Sequence, residues 1–511
     1  MSKLFDQIKV GLDETLEEQL QWLDPEYGSY RILKKSVDAR QNTPFWVYRI
    51  ETFSKGENRP EISHPVEKLK KTPLEKPIII GSGPAGLFAA LRLIERGVHC
   101  RLFEQGSTAT QRMKSIAAYW RYGTLDPYNN VCFGEGGAGL YSDGKLITRI
   151  KSPFIPYVLN RLVQFGAPEE IQYLSNPHVG SDKIRKVIPP IREFLRNNGC
   201  EIYFDTPVKK VLFENHRVKG ILLKDGKEVL GTKVVLATGH SSVPIIKSLA
   251  QDGVTIEGKS FAVGLRIEHP QKEINKIQYK AYAEHPALGA ANYRLAKHDN
   301  KTGIGVYSFC MCPGGYVISS GTDSEGVVSN GMSNYKRNSP YANAAIVVSI
   351  DHKESFGSDL FAGLTFRQEL EEKAKAGVTA QRGSKQLPAQ TVMNFLNRRN
   401  GDPLPSSTPS GCMALRLDQL LPENVVKNLS QALESFNRSM SGFISPNAQL
   451  LGVETRTSCP IRVTRHSQTL QSLSHLGLYP AGEGAGYAGG ITSAAVDGVR
   501  IAEAIWQEMN G

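Results

Sequence analysis

The sequence predicts an α/β fold, a parallel sheet with crossover helices and a β-meander, into which an α+β domain is inserted and to which a small N-terminal α/β module is appended. Three observations carry this. A glycine turn, Gly81-Ser-Gly-Pro-Ala-Gly86, joins the apolar run Pro77 to Ile80 to a helical pattern. A buried-strand pattern, Val234-Val-Leu-Ala-Thr-Gly239, closes a series of short alternating segments that begins at Cys200. A second glycine-rich stretch, Tyr479-Pro-Ala-Gly-Glu-Gly-Ala-Gly-Tyr-Ala-Gly-Gly-Ile-Thr-Ser493, leads into the last helix.

Residues 1–75 read as the N-terminal module and its linker: a helix up to about Leu23, then strand-like runs at Ile32 to Val37 and Pro44 to Phe53, then a polar, Pro-containing stretch over 54–76. Its first thirty residues are acidic, two lysines against seven carboxylates, which suits neither a secretory signal nor a transit peptide.

Residues 76–261 read as the first part of a Rossmann-like domain. Gly81 permits the tight turn, Gly83 lets a phosphate approach the backbone, and Gly86 lets helix and strand pack closely. Pro84 and Ala85 complete the loop, whose free N–H groups face a pyrophosphate. A helix over Leu87 to Gly97 leads to a second strand ending in Glu104, 23 positions after Gly81, a spacing that suits a carboxylate on ribose hydroxyls. Strands at Glu201–Tyr203, Val208–Glu214, Val218–Leu223 and Val229–Leu236 form the meander, with turns at Asn215-His216 and Asp225-Gly226. This order resembles flavoproteins with two dinucleotide-binding domains. The resemblance implies FAD, with Ala237, Thr238 and Gly239 packed under it and the Val208 backbone at the adenine.

Residues 262–446 read as the inserted substrate or cap domain, strand-like to Ile350 and helical around Leu360–Ala376 and Leu417–Met440; residues 447–511 return to the FAD domain. There Gly482 and Glu483 stand where related flavoproteins place an acidic residue on a ribityl hydroxyl. Gly489, Gly490 and Ile491 start the final helix, running to about Glu508, whose positive end would favour the reduced anionic flavin. The segment Gly134 to Lys145 adds small residues, among them Gly136, Gly137 and Ala138, that let backbone pass a planar ring, with Ser142 and Lys145 in reach of the cofactor.

Four segments together, Asn130 to Leu146, Phe261 to Pro270, Phe309 to Gly315 and Pro480 to Gly490, resemble the uncharacterised FAD-dependent dehydrogenase family of bacteria and plastids, over about Ser36 to the C-terminus. The resemblance implies a flavoprotein of the glutathione-reductase-2 type. Cys132 departs from the polar residue, such as Gln, expected at its position.

Composition bounds the alternatives. The 511 residues carry 40% hydrophobic and 22% charged side chains, enough for two or three cores, and lack an apolar run of about 18 residues. A cytoplasmic location is expected. The net charge of +11 raises the alternative of an FAD-dependent RNA-modifying enzyme, but no basic run is interleaved with aromatics to stack bases. A non-catalytic flavin-binding module is the other alternative. The seven cysteines show neither zinc spacing nor the CxxxxC of a disulfide reductase beside the first helix, and thiols are the expected state. Cys312, in Cys-Pro-Gly-Gly, is the catalytic candidate, a thiol at the flavin; no metal is expected. His269 reads as structural, while Arg456, Arg462 and Arg465 are candidates for an anionic substrate. The phosphate loop holds no His or Cys, so the FAD is expected to be non-covalent. Only one GxGxxG, Gly81 to Gly86, directly joins a strand-like run to a helical pattern, so NAD(P)H is expected only as a transient reductant, with a small-molecule substrate or an electron-transfer protein as the other electron sources. The expected activity is that of an FAD-dependent oxidoreductase.

Overall fold

The computed structural model describes residues 2–40, 42–57, 67–69 and 73–510. Its central sheet has five short parallel strands in the order Leu478–Pro480, Val234–Leu236, Ile78–Ile80, Cys100–Phe103 and Cys200–Tyr203. A parallel sheet is covered on both faces, which is why Ile78–Ile80 and Val234–Leu236 are apolar throughout and fully buried. The helix Pro84–Glu95 follows the first of these strands and lies against the last helix, Ile491–Asn510. Gly498 makes that contact close: a Cβ there would stand 2.0 Å from the Ala85 carbonyl oxygen.

The meander holds three antiparallel strands, Val208–Glu214, Arg217–Leu223 and Glu228–Leu230. The expected single strand over Val229–Leu236 is two. Gly231 still donates to Lys219 O in the meander, and two residues later Lys233 O accepts from Ile78 N–H in the parallel sheet. The expected meander strand at residues 201–203 likewise pairs in the parallel sheet, beside Cys100–Phe103.

The insertion is built on a seven-stranded sheet in the order Ala296–His298, Gly305–Cys312, Tyr341–Ile350, Phe261–Pro270, Gln449–Glu454, Leu387–Thr391 and Cys412–Ala414. The expected return to the FAD domain at residue 447 thus precedes a strand, Gln449–Glu454, that pairs in this sheet. A helix, Gln271–Tyr279, interrupts the strand-like stretch 261–350, and Ala362–Ala380 covers the expected helix near 360–376. The expected helix over 417–440 is a turn, Leu417–Leu420, and a helix, Glu423–Ser439. Pro422 forces the break, because the residue before a proline is held out of the α region; Leu421 has φ −89° and ψ 153°.

The N-terminal module begins with a strand, Lys3–Gly11, where a helix is expected. Ile8 and Val10, two apart, both point into the small core, a period of two. The helix Leu16–Leu23 starts only after Thr15, whose side chain and that of Glu18 form a capping box. The strands Tyr27–Asp38 and Phe45–Ser54 complete the sheet. No helix of the described residues is long and apolar enough to cross a membrane.

Candidate FAD and substrate cleft

One cleft of about 360 Å³ runs over the C-terminal ends of Ile78–Ile80 and Val234–Leu236. Ligands settle at that edge of an open α/β sheet because crossover loops diverge there. Of the residues expected at the cofactor, Gly81, Gly83, Pro84, Ala85, Glu104, Gly137, Ala138, Ser142, Lys145, Val208, Ala237, Thr238, Gly239, Gly482, Glu483, Gly489, Gly490 and Ile491 line it. Gly86, Gly136 and Cys312 do not.

The glycines divide by role. Gly81 has φ +101°, and a Cβ on it would stand 2.4 Å from Ala237 O; on Gly86 it would stand 1.9 Å from Gly81 O. These two serve packing. Gly83 has φ −71° and ψ −177°, and its Cβ would meet nothing nearer than Gly137 Cα at 3.9 Å, so its bareness keeps the cleft open. The Glu104 carboxylate is buried and accepts from Ser82 N–H at 2.9 Å, Ser82 Oγ at 2.7 Å, Gly106 N–H at 2.9 Å and Gly134 N–H at 3.2 Å. It therefore clamps the phosphate loop to the glycine segment as well as facing the cleft.

That segment is held from beneath by Arg112, fully buried on the helix Ala109–Tyr122. Its guanidinium donates to the carbonyls of Asn130, Val131, Glu135 and Gly137 at 2.8–2.9 Å. Gly136 donates to Ser82 O at 2.9 Å, which closes the glycine segment onto the phosphate loop without entering the cleft. Ser142 is spent on a turn, donating to Gly139 O at 2.9 Å and accepting from Gly144 N–H at 3.0 Å. Lys145 Nζ stands 3.5 Å from Asp143 and still faces the cleft.

At the other end, Asp497 accepts from Gly482 N–H at 2.8 Å and pairs with Arg465 at 2.6 and 2.9 Å, seating the loop that presents Glu483. Burial pushes the Glu483 carboxyl up to about 7, against the opposing charge of Lys259. Gly489 N–H is taken by Ser493 Oγ at 3.2 Å, and Gly490, at φ +124°, admits the chain to the final helix.

The wall opposite comes from the insertion and its return: Phe309, Cys310, Asn330, Glu454, Arg456 and Thr457, joined by His240 and Ser241. Two charged groups on it are already engaged. Glu454 holds the fully buried Arg266 at 2.7 and 3.0 Å; Arg456 holds Glu371 at 2.6 and 3.1 Å and donates to Thr322 Oγ1 at 2.8 Å. Arg462 pairs with Glu257 on the exterior. None of the three arginines expected at an anionic substrate is thus left unpaired. His240 is neutral, its pKa lowered to about 3 by burial with Arg367 and Arg456 nearby. His269 is buried, with Nε2 2.8 Å from Phe443 O, a structural histidine as expected.

Of the two cysteines of Cys310-Met-Cys312, it is Cys310 that faces the cleft, which Cys132 also lines. The ladder slips between Phe309 and Cys312, and Cys310 has φ +44°, so a bulge turns Phe309 and Cys310 both toward the cleft and sends Cys312 into the interior at 0% exposure. The sequence pattern carries no sign of the bulge.

The residues fit FAD. Beyond the open space at Gly83, Thr238 Oγ1 is buried at the cleft with no hydrogen-bond partner among the described residues, a group for the cofactor to satisfy. The phosphate-loop half of the cleft matches the FAD binding domain over residues 76–132, and the inserted domain matches the FAD-dependent protein, C-terminal domain-like family over residues 260–457. Among solved structures, CtdE in complex with FAD is 12% identical over 86% of this chain and 85% of its own, at a TM-score of 0.31. A triple mutant of the flavin-dependent brominase Bmp2 is 13% identical over 86% and 81%, at 0.37. A protein of Clostridium beijerinckii, described as uncharacterized, is 38% identical over all of this chain and 99% of its own length. With that relative and both domain matches, the chain belongs to a family of FAD-dependent proteins, and FAD is its cofactor.

Proposed function

We propose that the protein is an FAD-dependent oxidoreductase, a dehydrogenase or reductase passing a hydride or an electron pair between the flavin and an organic substrate. The observation that supports this is the two-sided cleft. One side is a phosphate loop with a helix N-terminus; the other is a polar wall from a separate domain, so a substrate can stand against the ring. When bound, FAD supplies the two-electron chemistry. The chain supplies position and charge. The N-terminus of Ile491–Asn510 and Lys145, both at the cleft, would offer positive charge to the bound cofactor. Gly83 and the helix amides beyond Pro84 would hold the pyrophosphate, Glu104 the ribose and Glu483 a ribityl hydroxyl. His240 and Ser241, 2.8 Å apart, present a neutral hydrogen-bonding pair to the substrate.

The test is anaerobic mixing of the yellow protein with NADH, NADPH and a panel of organic donors, followed by flavin absorbance. Bleaching by at least one donor is expected. A flavin that no donor reduces, and that no acceptor reoxidises after dithionite, would leave only a binding module.

A further inference from the structure

The sequence Cys310-Met-Cys312 ends a strand of the inserted domain at the cleft. Residues two apart in an extended strand lie roughly 6.6 Å apart, at the upper edge of the range of about 4.4–6.8 Å that a disulfide spans. Here the pair is not extended. The bulge and the positive φ at Cys310 fold the chain, and Cys312 Sγ reaches back to within 3.3 Å of Cys310 O. Beneath them Arg266 donates to Cys310 O at 3.3 Å.

We propose that Cys310 and Cys312 form a redox-active dithiol that exchanges an electron pair with the flavin, Cys310 facing the cleft and Cys312 behind it as the resolving thiol. This rests on the oxidoreductase reading and assigns a second redox group to the same site. The balance closes on groups the chain holds. A Cys310 thiolate and a Cys312 thiol lose two electrons and one proton as the S–S bond forms and the Cys312 S–H bond breaks; both electrons and that proton pass to oxidised FAD. The reverse returns both thiols. The asymmetry suits the roles: the neighbouring Cys312 thiol, then the charges of Lys145 and Arg266, hold the Cys310 thiol below its ordinary range, while Cys312 is raised well above it. A thiolate is the nucleophile in disulfide chemistry, and the buried partner keeps its proton until the bond closes.

The holoprotein, oxidised with diamide and freed of reagent, is titrated anaerobically with dithionite, and a second portion is denatured, alkylated and mapped by mass spectrometry. Wild type should take up four electrons per FAD, and its peptide with Cys310 and Cys312 should carry neither alkyl group until reduced. Cys310→Ser and Cys312→Ser should each take up two. Uptake of two electrons by wild type, or alkylation of both cysteines in the oxidised protein, overturns the proposal; the wild-type readings decide even where a variant does not fold. Flavin content measured first keeps the two readings apart. Protein without FAD defeats the cofactor assignment, whereas FAD reduced by an organic donor beside unpaired thiols defeats the dithiol alone.

Discussion

Replacing Gly83 with Val should remove FAD and leave the fold. The native φ of −71° and ψ of −177° is extended backbone open to any residue, and the first atom a Cβ meets is 3.9 Å away. The folding cost should stay below about 1 kcal/mol, as for substitutions that neither overpack nor strand a polar group. The isopropyl group, however, points into the cleft where the helix Pro84–Glu95 presents its first amides. Loss of two charge-assisted hydrogen bonds to a pyrophosphate costs about 3–6 kcal/mol, or roughly 10²- to 10⁴-fold in Kd. Gly86→Ala is the control of opposite sign. Its methyl would sit 1.9 Å from Gly81 O, so the strand, turn and helix must separate, and the FAD-free protein itself should lose about 1–3 kcal/mol. Flavin fluorescence titration and thermal unfolding of FAD-free protein separate the two effects. Unchanged affinity in Gly83→Val, or equal stability loss in both variants, refutes the division of roles among these glycines.

Glu483→Ala should weaken FAD by about 1.5–3 kcal/mol, roughly tenfold to hundredfold in Kd, and an unaltered Kd sinks its ribityl role. Because burial raises its carboxyl from 4.5 to about 7, the protonated form favours folding; in FAD-free protein the contribution of Glu483 should be fully present below pH 4.5 and lost as pH rises through 7, and the difference between wild type and Glu483→Gln in thermal melts should show that slope. Arg112→Met strips four carbonyls of their buried donor and should cost at least about 2–4 kcal/mol and FAD with it; Arg112→Lys should not rescue, since one ammonium cannot replace three guanidinium nitrogens. Asp497→Ala leaves Arg465 buried and unpaired, with side-chain exposures of 4% and 6% in the native pair, and should destabilise by about 3–5 kcal/mol in denaturant titration.

The cofactor half of the cleft is legible in the sequence because its determinants are local. A turn that needs positive φ at Gly81, a bare position at Gly83 and a glycine at the entry to the last helix each leave their mark within a few residues. The opposite wall is assembled from residues separated by up to 217 positions, His240 to Thr457, and no periodicity links them. Arg112 lies 18 residues or more from the carbonyls it holds and reads as one helix cation among others. The misplaced elements have physical causes of the same kind. A bulge at Cys310 reversed the side-chain alternation, Pro422 cut a helical pattern whose apolar period continues past it, and the polar strand Lys3–Gly11 shows only Ile8 and Val10 of its buried face.

The central claim, one dissociable FAD in the cleft above the glycine turn, meets its most direct test in the flavin content of the purified protein. Acid precipitation should leave a colourless pellet and release one FAD per chain into the supernatant, with the Gly83→Val protein releasing almost none. A colourless wild-type protein that takes up no added FAD, or a pellet that keeps its colour, would contradict the account.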